Sequence, residues 1–217
     1  MRRILIGVVV TALTIMASAG PASASPGQVT HIRFHGGFAS ADWSSNSATS
    51  NTNTFVSVSA SKQGSVLYAE QFTSHLDENG NVTGGTDTFA LGLTSGFSFT
   101  IDHATLASAG LSGSGLPATT CTVDAGGRPI SCSDTTIGVN VTWTGQGPIT
   151  RSVYNSHSKT GLFIVSEHSN GTQRDATATA TFAGFPEPPG ELQFAALGIS
   201  NSGTTTICIG TTCPPNP

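Results

Sequence analysis

Charge is scarce in this chain. Asp, Glu, Lys and Arg make up 9% of 217 residues, and apart from Arg2 and Arg3 the 8 basic residues stand alone. A basic stripe is the electrostatic footprint of nucleic-acid binding, so its absence argues against that partner and against anionic lipid. Charged side chains also form the usual solvent face of helices. Their scarcity beside so many Ser, Thr and β-branched residues favours strands. Aromatic platforms for sugars are few as well: there are two Trp and two Tyr, and Trp143 falls in the buried phase of an alternating segment. Trp43, Tyr68 and Tyr154 remain as candidates.

No apolar run approaches the roughly 20 residues that a transmembrane helix needs. The longest, Ile4 to Met16, follows Arg2 and Arg3 and precedes Ala22-Ser23-Ala24, the order of parts in a secretory signal with its cleavage site. Residues 1 to 24 are therefore expected to be removed, leaving 193 residues with 6 basic and 12 acidic side chains, a net charge of -6. No Cys stands at the cleavage point, and Leu116-Pro117-Ala118-Thr119-Thr120 lacks the Gly and the apolar tail of a sorting signal. The expectation is a released extracellular protein with no membrane contact after cleavage: one domain over 25 to 217, ending in a short Pro-rich tail, 213 to 217.

Only four cysteines are present. Cys121 and Cys132 flank Asp124-Ala125-Gly126-Gly127, a turn signal between two strand-like pieces, and Cys208 and Cys213 enclose a short loop. Neighbour pairing gives two disulfides, in keeping with an oxidising compartment. The spacings offer no C-x2-C knuckle for a metal.

What is abundant is strand signal. Ile137, Val139, Val141 and Trp143 alternate with Gly138, Asn140 and Thr142, and Val66, Tyr68, Glu70 and Phe72 share one face of another segment. Asp77-Glu78-Asn79-Gly80-Asn81 is a hairpin turn. About ten short strands separated by Gly, Asn and Ser turns predict an all-β, single-domain antiparallel β-sandwich or jelly roll. Pro186 to Gly190 precedes a last hairpin.

Few residues suggest chemistry. His31, Arg33 and His35 share a strand face, but residues 31 and 35 lie about 13 Å apart along a strand, too far for imidazoles sharing one ion. Asp102-His103 and Glu167-His168 point to opposite faces if extended, and His75 with Asp77 reads as a solvated turn. Gly110-Leu111-Ser112-Gly113-Ser114 lacks the second Gly of a nucleophile elbow and its strand-to-helix setting. Thr177, Thr179 and Thr181 form a hydroxyl-bearing strand face opposite Ala176, Ala178 and Ala180.

The expected function is non-catalytic binding of an extracellular surface, glycan, cell envelope or protein through His31, Arg33, His35, Trp43, Thr177, Thr179 and Thr181. No cofactor is implied. The alternatives are a secreted hydrolase whose site assembles from distant strands, and an inhibitor or toxin-like effector using the cystine hairpin.

Overall fold

A computed structural model describes residues 28–62, 64–160 and 163–209, with side chains left undescribed at 28–34, 154–160, 163–169 and 202–209. Nine strands run in chain order: β1 (Gln28–Asn46), β2 (Ser50–Ser61), β3 (Gly64–Leu76), β4 (Val82–Leu93), β5 (Phe97–Ile101), β6 (Ser108–Asp124), β7 (Pro129–Thr160), β8 (Phe163–Ala183) and β9 (Glu191–Ile209). All belong to one antiparallel sheet of order β4-β3-β2-β1-β9-β8-β7-β6-β5. The sheet closes on itself because β4 also pairs with β6, from Gly84 opposite Asp124 to Phe89 opposite Thr119. Closure gives β4 a second partner and so removes its open edge over that stretch, while β5 lies against β6 on one side. The two separate sheets implied by a sandwich or jelly roll are thus replaced by one continuous sheet.

Alternation decides which side chains fill the interior. Ile137, Val139, Val141 and Trp143 are all at most 2% exposed on β7, and Val56, Val58, Leu67, Ala69 and Leu197 join them from facing strands. Each buried aliphatic side chain contributes roughly 1.5–3 kcal/mol. Trp143 spans the interior, its indole N–H donating to the Ser40 carbonyl at 3.0 Å.

Towards one end the interior turns polar. Thr52 bonds Thr73, and Thr88 bonds Thr120, at 3.1 and 2.9 Å. Gln71, 1% exposed, donates to Thr54 Oγ1 and to the Glu187 carbonyl, and accepts from the Glu187 N–H. The Pro-rich loop therefore folds over that end as a cap. Gly184 and Gly190 bracket it at positive φ, and a Cβ on them would lie 2.2 Å from the Thr136 oxygen and 2.3 Å from the Ser44 oxygen. The opposite end is closed by the turn after β5. There Leu106 is 1% exposed, and Asp102 holds the turn through the N–H groups of Ala104 and Thr105. Arg174 donates to the Thr105 and Gly147 carbonyls beside it.

Several strands are longer than the expected short ones. β7 continues through Gly145 to Pro148, where a register shift between Gln146 and Thr150 absorbs the extra residues. β8 and β9 likewise run through Asn170-Gly171 and Asn201-Ser202. Beyond the ends of β2 and β6, the outer halves of β1, β9, β8 and β7 extend as a four-stranded sheet.

Candidate functional site

Strand register sets a polar array on the outward face of β5 to β8. Ser98, Ser112, Asn140 and Thr181 lie directly opposite one another across four strands. The next rank is Thr100, Gly110, Thr142 and Thr179, and a third is Ser108, Thr144 and Thr177. Neighbouring strands are about 4.8 Å apart, and successive outward side chains on one strand about 7 Å. Hydroxyls thus repeat in two directions.

The first two ranks enclose an open groove of about 470 Å³. Gly110 lines the groove without a side chain, and a Cβ there would stand 3.4 Å from Thr100 Oγ1 and occupy part of it. Ser112 donates to Asn140 Oδ1 at 2.6 Å, which fixes the amide and leaves its NH2 group as a donor. No charged or aromatic side chain lines the groove. Its chemistry is hydrogen bonding by groups that donate and accept, the kind that matches a polyol.

The other outward face, over β1 to β4, is different. Register places Phe194, Asp42, Phe55, Glu70 and Phe89 in one rank, and Asn53, Phe72, Asp87 and Cys121 in the next. Each carboxylate therefore sits between apolar neighbours. Burial pushes Asp42 above the usual carboxylate range, partly offset by a hydrogen bond from Asn53 at 2.7 Å. Burial and then the Glu70 charge push Asp87 up to about 6, and its Oδ1 is buried without a partner among the described residues. Tyr68 donates to Glu70 Oε2; burial first, then Glu70 and Asp87, push its phenol upward. The shared face of Val66, Tyr68, Glu70 and Phe72 is present, with Leu67, Ala69, Gln71 and Thr73 buried behind it.

The residues singled out in the sequence do not converge. Thr179 and Thr181 enter the groove, and Thr177 extends it, all three exposed. Trp43 is 4% exposed and packs edge-on against Phe182, so its ring belongs to the core. His35 is exposed, with Nδ1 2.7 Å from the Asn201 carbonyl. His31 and Arg33 lie on the four-stranded extension, paired with Thr206 and Thr204, their side chains outside the described set. Asp102 braces its own turn while His103 is exposed. Ser112 sits mid-strand in β6, and among the described residues no three His, Cys, Asp or Glu converge.

Cys121 and Cys132 form a disulfide between directly paired residues of β6 and β7. Its turn presents one large apolar side chain, Ile130, 68% exposed. Cys213 lies outside the described residues, as do 1 to 24, and the Cys208 side chain is not described. Among the described residues no helix is long and apolar enough to cross a membrane. Comparison of the chain with protein-family models, curated proteins and solved structures finds no match.

Proposed function

We propose that the chain is a non-catalytic binding module, released outside the cell, that holds a glycan strand against the groove on β5 to β8. The observation that carries this reading is the two-directional array of Ser98, Thr100, Ser112, Asn140, Thr142, Thr179 and Thr181 around Gly110. An extended polyol offers repeating hydroxyls, and an uncharged array of hydroxyls and one amide exchanges hydrogen bonds with them along its length. Each such bond is worth about 1 kcal/mol net, so affinity grows with the length of strand engaged. The groove thus favours a polymer over a single sugar.

Export supports the reading, through the N-terminal signal pattern, the Cys121–Cys132 bridge and a proposed second bridge from Cys208 to Cys213 that pins the C-terminal segment. The groove offers no acid for hydrolysis, since Glu70 and Asp87 project from β3 and β4 and do not line it. Depletion of the mature protein from solution by insoluble polysaccharides, with soluble oligosaccharides as competitors, tests the proposal. Retention relieved by long oligosaccharides supports it; no retention by any polysaccharide, or release of reducing sugar during incubation, counts against it.

A further inference from the structure

The face over β1 to β4 calls for a different ligand. Phe55 and Tyr68 meet edge to face at 5.7 Å, and Phe72 and Phe89 stand on the same side, all half-buried. Asp42, Glu70 and Asp87 are set among these rings by strand register. Along the β4–β6 seam the face continues into a groove of about 440 Å³ lined by Phe89, Leu91, Pro117 and Asp134. Leu91 is 46% exposed there. Among the described side chains of β1 to β4 the only Lys, Arg or His residues are the exposed His35 and His75, and register places neither in a rank with Asp42, Glu70 or Asp87.

We propose that this face is a docking surface for an Arg- or Lys-bearing segment of another protein, whose aliphatic stems lie on the Phe and Tyr rings while the cationic heads meet Glu70 and Asp87. Charge complementarity selects this occupant. Rings alone would suit any apolar surface, but carboxylates held between rings penalise an apolar partner and reward a cation, which gains both a cation–π contact and a charge-assisted hydrogen bond. The -6 charge expected of the mature chain would steer such a partner in. The site is separate from the hydroxyl groove and stands whether or not that groove holds a glycan.

The groups facing Asp87 are Glu70 and Tyr68 from β3, while β6 presents the disulfide-bonded Cys121 and the uncharged Thr119. Docking is therefore expected to strengthen as pH rises through about 6 and Asp87 ionises.

Titration of the full mature protein with a short oligoarginine peptide, followed by tyrosine fluorescence or calorimetry, tests the proposal; an oligoglutamate of equal length is the control. Saturable binding of oligoarginine alone is expected. It should weaken about tenfold in Glu70→Gln/Asp87→Asn and several-fold in Phe89→Leu, while Thr179→Arg leaves it unchanged. Both carboxylate changes preserve shape, and unchanged circular dichroism of each variant verifies the fold. Equal affinity of wild type and the double variant overturns the proposal, as does weakening by the charge changes with none from Phe89→Leu, which would reduce it to diffuse attraction.

Discussion

Trp143 on β7 and Ser40 on β1 are 103 residues apart, yet the indole N–H of one donates to the carbonyl of the other at 3.0 Å across the barrel interior. This bond ties facing parts of the closed sheet. Trp143→Phe removes the donor and opens a small cavity. We expect a loss of about 2–3 kcal/mol, read as a lower urea midpoint at unchanged slope.

Gln71 anchors the cap over the polar end through both of its amide atoms. Gln71→Leu breaks those bonds and frees residues 184 to 190. A stability loss of about 2 kcal/mol is expected, with limited proteolysis cutting first inside that loop. Wild-type resistance at the loop in the variant would show that Gln71 does not hold the cap.

The disulfide closes an 11-residue separation, for which the chain-entropy account gives about 2–3 kcal/mol. Cys121→Ser/Cys132→Ser should lower stability by that amount while keeping the far-ultraviolet spectrum, since the β6–β7 ladder continues well beyond the bridge.

Asp87 reverses the usual pH behaviour of a carboxylate. Its folded-state value, about 6, lies above the ordinary 3.8, so between pH 4 and 6 the folded chain keeps a proton that the unfolded chain has lost. Stability from this group is therefore full below about pH 4 and declines as pH rises through 6. Asp87→Asn should flatten that slope and raise stability near neutrality by on the order of 1 kcal/mol after allowing for solvent screening, measured by urea unfolding across pH.

Local alternation made much of this fold legible. The buried phase of β7, the Asp77 and Asp124 turns and the Cys121–Cys132 bridge follow from periodicity and turn chemistry. Strand length did not, because Gly145 to Pro148 carries every mark of a turn, and only the partner strand shows that it is a bulge. Closure through β4 and β6 is a long-range pairing that no local signal encodes. The same limit governed the sites. The run Thr177, Thr179, Thr181 was visible as one strand face, but its partners Ser98, Ser112 and Asn140 come from three other strands. A single strand cannot show that Phe182 covers Trp43.

Retention of the mature protein on insoluble polysaccharide, compared between wild type and Thr179→Arg, tests the binding account most directly. Thr179 is exposed on the β8 side of the groove, so an arginine there reaches over it without disturbing the core. The account predicts saturable wild-type retention that falls about tenfold or more in the variant, as expected when several hydrogen bonds are lost together. Equal retention of the two proteins would contradict it.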